Sequence, residues 1–162
     1  IPTIEGSANV YVKEEDLPDH KVPSLYTMAD CFVLPTHGEG WGLPLFEALA
    51  CGIPVITTGY SAPNELLRDE KGEPLPGVHF LEYTPAISDE PYVYIEGKTW
   101  AEPNLTQLKK EMRNVYNNRQ DEKKKALETS KLIRQKFSWT NVSEKVKRRL
   151  EDIYKNKLAK ND

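Results

Sequence analysis

Two short apolar runs, Cys31-Phe-Val-Leu34 and Ile53-Pro-Val-Ile-Thr57, flank a glycine-bearing loop and a helical segment. That order constrains the fold more than any other feature of the chain. Both runs are rich in β-branched or aromatic residues and lack polar alternation, which is the pattern of parallel strands covered on both faces. Between them, Gly38, Gly40 and Gly42 punctuate a loop. Pro44–Cys51 then places proline just inside a helix start, with Gly52 just past its end. Residues 31–57 are therefore predicted to form one β-loop-α-β unit.

The rest of the chain extends that unit. Asn9–Val12 reads as a short strand, and after an acidic loop residues 22–29 read as a helix turn packed by Leu25 and Tyr26. A strand is predicted at 78–83, and residues 85–98 read as irregular and proline-containing, with a candidate strand at Tyr92–Ile95. From Asn104 onward the pattern is helical. Leu105, Leu108, Met112 and Val115 share one face, and Val142, Val146, Leu150, Ile153 and Leu158 form an apolar stripe on a basic helix. Strands alternating with helices imply an α/β fold, a Rossmann-like parallel sheet flanked by helices and followed by C-terminal helices. About four strands are predicted against the six of a complete dinucleotide-type sheet, so the domain is expected to be partial.

Composition bounds the function classes. With 162 residues, 38% hydrophobic and 29% charged, the chain reads as one globular domain with an appended helix and no apolar run of membrane-spanning length. The net charge of −3 divides into −11 over residues 1–100 and +8 over residues 101–162. The basic end reads first as a solvated helix surface, with an acidic partner or membrane surface as the alternative. A cytoplasmic location, peripheral at a membrane surface, is the corresponding expectation, and no nucleic-acid partner is expected. Cys31 and Cys51 stand in apolar segments without a CxxC pattern and read as buried free thiols. His20, His37 and His79 are scattered, so no metal site and no cofactor are expected. The Asn-x-Ser/Thr matches at Asn104 and Asn141 are discounted because both fall in helix-like stretches.

The chemistry concentrates in residues 35–54. Ligands of open α/β sheets bind at the carboxyl ends of strands, and this loop follows such an end. Glycines admit a close ligand, and the N-terminus of the following helix offers unpaired N–H groups and a partial positive charge. A diphosphate fits over Gly40, Trp41, Gly42 and Leu43 by this argument. Two carboxylates flank it: Glu39 in the loop and Glu47, expected in the first helical turn. Ionised carboxylates accept hydrogen bonds, and sugar or ribose hydroxyls donate them. Taken singly, Glu47 also suits the helix dipole alone, and Glu39 also suits a solvated loop. Two other signals are rejected. Gly97-Lys-Thr99 lacks the earlier glycine of a phosphate loop, because that position is Tyr92. The glycines at 38, 40 and 42 do not match the spacing of a nicotinamide dinucleotide site.

The run Glu39-Gly-Trp-Gly-Leu-Pro-Leu-Phe-Glu47, continued by Ala48-Leu-Ala-Cys-Gly-Ile-Pro-Val55, closely resembles the E-x7-E motif of retaining family-four glycosyltransferases. Trp41 stands where phenylalanine is commoner. Val22-Pro-Ser-Leu-Tyr-Thr-Met-Ala-Asp30, Pro35-Thr36 and Phe137-Ser-Trp139 resemble further elements of that family, with the dense part over residues 22–66. The resemblance implies the C-terminal, nucleotide-sugar-binding half of a two-domain GT-B enzyme, spanning residues 1–162, without its N-terminal acceptor domain. It implies that Glu39 acts beside the donor sugar and that Glu47 holds the ribose. It implies that Gly40–Leu43 face the phosphates and that Tyr11 and Val12 lie beside the base. The donor would be a UDP-, GDP- or ADP-sugar and the acceptor a sugar, glycan or lipid-linked group, with retention of configuration. The family's diphosphate-neutralising Arg and Lys find no match within residues 1–30, so the chain alone is expected to be inactive.

Three other readings stay open on the residues themselves. A glycosidase using Glu39 and Glu47 has no need of an anion cradle. A non-catalytic nucleotide-sugar module and a nucleotide-sugar epimerase of related architecture fit the same fold.

Overall fold

A computed structural model describes residues 8–12, 14, 16–88 and 97–158, with residues 157 and 158 described as backbone alone. The predicted unit forms as β1 (Phe32–Leu34), α2 (Leu43–Ala50) and β2 (Val55–Thr58), preceded by the short α1 (Val22–Thr27). After α3 (Ser61–Leu66), β3 (Val78–Leu81) completes a three-stranded parallel sheet ordered β1-β2-β3. Phe32 pairs with Val55 and Val55 with Val78, so apolar side chains align across the sheet at each level.

Alternation along the strands sorts the core onto two faces. Phe32, Leu34, Val55 and Val78 point toward Leu45, Phe46 and Leu49 of α2 and toward Ile133. Val33, Ile56 and Leu81 form the second cluster, with Val115 and the half-buried Cys31 and Leu108. Both faces are covered, which explains the unbroken apolar runs. Each fully buried leucine here contributes about 2 kcal/mol by burial. The hydroxyls of Thr57 and Thr58 are buried without a hydrogen-bond partner among the described residues, and nothing in the structure accounts for it.

Three helices follow: α4 (Leu105–Asn117), α5 (Arg119–Lys136) and α6 (Trp139–Ile153). Asn104 caps α4 by accepting from the Gln107 N–H. The middle of the buried face of α5 is built of small side chains, Ala126, Thr129 and Ser130, because α5 lies there directly against backbone. Thr129 Oγ1 donates to the Pro76 carbonyl at 2.7 Å, and Ser130 Oγ donates to that of Ala50 at 2.8 Å. Gly77 has φ +79°, and a Cβ there would stand 2.9 Å from the Ala126 backbone, so only glycine fits. His79 is held between α4 and α5, its ring nitrogens 3.3 Å from Glu111 and 2.8 Å from Glu122.

Three expectations need correction. Asn9–Val12 is not a strand: no strand among the described residues pairs with it, and a β-prone sequence needs a partner to be one. The stretch 85–98 is not irregular throughout. β4 (Tyr83–Ile87) pairs antiparallel with β5 (Thr99–Pro103), and Pro85 is tolerated because the ribbon has only two strands. Leu25 is exposed rather than packed, as are Leu105 and Met112, since α4 meets the sheet mainly through Val115 and Leu108. The candidate strand at Tyr92–Ile95 lies outside the described residues. The α6 stripe is open, with Val146 53% and Leu150 61% exposed. No helix among the described residues is long and apolar enough to cross a membrane.

Candidate functional site

The glycine loop leaves β1 at Leu34 and enters α2 at Leu43, at the carboxyl end of the sheet. Its backbone is fixed by side chains. Thr36 Oγ1 accepts from the Gly38 N–H and donates to the Gly38 carbonyl, closing a tight turn. Glu39 N–H donates to Ser61 Oγ at 2.9 Å. The Ala101 N–H of β5 donates to the His37 carbonyl at 3.1 Å. The His37 ring stacks on Trp100 at 4.0 Å, with its Nε2 3.1 Å from Glu102.

Gly42 takes φ +80°, and a Cβ there would crowd Leu45 and Pro63, so glycine is required at the turn into the helix. Around Gly40 a Cβ would meet nothing within 4 Å, so the loop is open at that point. Among the described residues, the N–H groups of Gly40, Trp41 and Gly42 donate to no protein acceptor. They stand at the N-terminal end of α2, whose cap makes no side-chain hydrogen bond. Unpaired N–H groups at a helix start suit an anion. Leu43 is exposed at the first helical position.

The two carboxylates have different settings. Glu39 is half-buried, and its side chain has no partner among the described residues. Glu47 accepts a hydrogen bond from the Tyr26 hydroxyl at 2.8 Å. It lines a cavity of about 320 Å³ with Tyr26, Val22, Asp19 and Cys51. Burial, and then the hydrogen bond to Glu47 and its charge, push the Tyr26 phenol above its ordinary range, so the hydroxyl stays a donor. Glu47 is the fifth residue of α2, beyond its first turn. The helix begins at Leu43, one residue before the expected Pro44, and the dipole therefore does not account for this glutamate.

Trp41 packs at 6.0 Å from Phe46 and edge-on to Phe137 at 5.9 Å, so its ring pins the loop to α2 and to the end of α5. Trp139, of the same Phe-Ser-Trp element, is 89% exposed instead. Tyr11 and Val12 are 88% and 63% exposed and form no hydrogen bond or ring contact with the loop among the described residues. Two residues that shape the site were missed. Ser61 holds Glu39 from a left-handed conformation, φ 53°, and its signal was a serine at the start of a short helix. Tyr26 was read only as packing, and no sequence signal tied it to Glu47.

The sequence model of the family described as "Glycosyl transferases group 1" matches residues 5–87. The O-antigen chain mannosyltransferase B of Escherichia coli is 42% identical over 53 residues, which is 33% of this chain and 14% of that protein. The GDP-mannose-dependent alpha-(1-6)-phosphatidylinositol monomannoside mannosyltransferase of Mycolicibacterium smegmatis is 33% identical over 92 residues, 52% of this chain and 24% of that protein. The D-inositol 3-phosphate glycosyltransferase of Salinispora tropica is 41% identical over 49 residues, 30% of this chain and 10% of that protein. The matched stretches thus cover a quarter or less of each relative. No solved structure matches.

Proposed function

Because this chain belongs to the glycosyl transferases group 1, we propose that it forms the donor side of a retaining sugar transfer from a nucleoside-diphosphate sugar to an acceptor hydroxyl. The observation that carries the reading is the row of unpaired N–H groups at Gly40, Trp41 and Gly42, placed between Glu39 and Glu47 at the start of α2. The diphosphate lies over those N–H groups, which favour the charge that builds on it as the sugar leaves. Glu47, steadied by Tyr26, accepts from the ribose hydroxyls in the cavity it lines. Glu39, with its backbone held by Ser61, sits beside the donor sugar. Tyr11 and Val12 lie beside the base. No step calls for a metal.

The chain is the nucleotide-sugar-binding domain of a GT-B arrangement, and the acceptor is met partly by a second domain. One relative is named as GDP-mannose-dependent, which makes GDP the first nucleotide to try. The cation excess of residues 101–162 supports work at a membrane surface on the cytoplasmic side.

The test is an NMR titration of the isotope-labelled chain with GDP, UDP and ADP, repeated on Glu47→Ala. Shifts at Gly40, Trp41 and Gly42 with one nucleotide, weakened in the variant, are expected. Shifts confined to other surfaces, or unchanged by Glu47→Ala, would refute the assignment.

A further inference from the structure

Beside the glycine loop lies a groove that the donor reading leaves unused. It opens at the carboxyl ends of β2 and β3 and has a volume of about 440 Å³. Gly59, Arg68, Phe80, Glu82, Tyr83 and Gln107 line it. Tyr60 stands between the groove and the loop. Its ring meets Tyr83 edge-on at 5.1 Å on one side, and on the other a Cβ added to Gly38 would lie 3.7 Å from it. Tyr60 thus links the glycine loop to Tyr83, one of the groove's lining residues.

Most polar groups in the groove are already committed. Arg68 donates to Asn64 Oδ1 from Nε at 3.1 Å and from Nη2 at 2.9 Å, and to the Gly72 carbonyl from Nη1 at 2.7 Å. Its guanidinium also lies 4.6 Å from the Phe80 ring centre. Gln107 accepts from the Glu82 N–H at 2.6 Å and donates to the Phe80 carbonyl at 3.3 Å. These bonds make a rigid rim. The Glu82 carboxylate has no partner among the described residues, and the Tyr83 ring is 40% exposed. What remains to meet a ligand is one carboxylate and one aromatic surface.

That pairing selects a class of ligand. An anion is disfavoured, since Glu82 repels it and the Arg68 donors are largely used. A purely apolar ligand would bury the carboxylate without a donor. A neutral pyranose meets both demands: its hydroxyls donate to Glu82, and its C–H face packs on an aromatic ring. We propose that this groove is a subsite for the acceptor sugar, holding it on the far side of Tyr60 from the donor. The assignment rests on the donor reading above, because it takes Gly40–Gly42 as the nucleotide site.

The test titrates the labelled chain with methyl α-D-mannopyranoside to about 100 mM, a range suited to weak monosaccharide binding, and separately with GDP. The mannose form is chosen because one relative is named as acting on a monomannoside. The expected result is mannoside shifts at Gly59, Glu82, Tyr83 and the Gln107 side chain, with Gly40–Gly42 unmoved. Glu82→Gln, an exposed and nearly isosteric change, should weaken the mannoside about tenfold by removing one charge-assisted hydrogen bond. It should leave the GDP response intact. No groove shift with the mannoside or with the matching glucoside and galactoside overturns the proposal, as does binding that Glu82→Gln leaves unchanged. A GDP response without groove shifts sinks the subsite and spares the donor reading. Groove shifts without any nucleotide response sink the donor reading and, with it, the acceptor assignment.

Discussion

Ser61 offers a test in which stability and binding separate. The residue holds φ 53°, a conformation that costs an L-residue about 1–2 kcal/mol. Its hydroxyl accepts the Glu39 N–H at 2.9 Å, a bond worth about 1 kcal/mol net. Ser61→Ala loses the bond and keeps the strain, so it should destabilise the chain by about 1–2 kcal/mol. Ser61→Gly also loses the bond, but glycine relieves the strain and gives back about 0.5–1 kcal/mol through unfolded-state entropy. Its net change should fall within about 1 kcal/mol of zero. The stability order is therefore parent and glycine close together, with alanine clearly below. Nucleotide binding should follow a different order, because both variants release the Glu39 backbone. Each should raise the GDP dissociation constant about fivefold, equal to about 1 kcal/mol. Urea unfolding followed by tryptophan fluorescence gives the first order, and the NMR titration gives the second. Equal destabilisation by alanine and glycine would refute the strain argument. Parent-like GDP binding in both would refute the positioning argument.

Gly77→Ala should cost about 3 kcal/mol, or about 9 °C in Tm, since the new Cβ meets Ala126 backbone at 2.9 Å and φ is +79°. Thermal unfolding by circular dichroism checks it. Burial alone would raise the Glu122 carboxyl, but hydrogen bonds from Lys125 and His79, and their charges, hold it below its ordinary value of 4.5. The unfolded chain then takes up the proton first as pH falls. The stability linked to Glu122 is complete above the ordinary carboxylate range and is lost as pH drops through the folded value. Glu122→Gln should cost about 1–3 kcal/mol at neutral pH and flatten the acid limb of stability against pH, measured by urea midpoints. Burial, then the charges of Glu122 and Asp30, push the Cys31 thiol up to about 12. It should therefore resist iodoacetamide at neutral pH in the folded chain and react on unfolding, as mass spectrometry would show.

The parts of the fold legible in the sequence were those where one local rule decides. Cys31–Leu34 and Ile53–Thr57 announced buried parallel strands because both of their faces meet side chains. Pro44 and Gly52 bracketed α2, the proline because its fixed φ suits a helix start and the glycine because it takes a left-handed turn that other residues resist. What stayed hidden depended on partners distant in the chain. Tyr83–Ile87 carries a proline and exposed residues, so its pairing with Thr99–Pro103 has no periodic signature. Val10, Tyr11 and Val12 show the converse: β-branched and aromatic residues in sequence form no strand without a neighbour to pair with. At the candidate site, the glycines and both glutamates stand in one continuous stretch of the sequence. The hands that hold them, Ser61 twenty-two residues after Glu39 and Tyr26 twenty-one before Glu47, do not.

Those supports bear on how the loop can bind. A glycine-rich loop left to itself would have to be ordered by its ligand, at a cost set by its conformational freedom. Here each end of the open stretch is tied to a different part of the chain. The residues before Gly40 are held by Ser61 of α3, by Ala101 and Trp100 of β5, and by the Thr36 turn. Trp41, just after it, is held by Phe46 and Phe137. Gly40 alone is left in open space. The open point of the loop is thus flanked on both sides by residues tied to other parts of the chain, which lowers the ordering cost of the proposed anion contact. The β4–β5 ribbon gains a role by the same logic. It braces the loop through His37 while Tyr83 lines the neighbouring groove, so one element sets the position of the proposed donor loop and shapes the proposed sugar subsite.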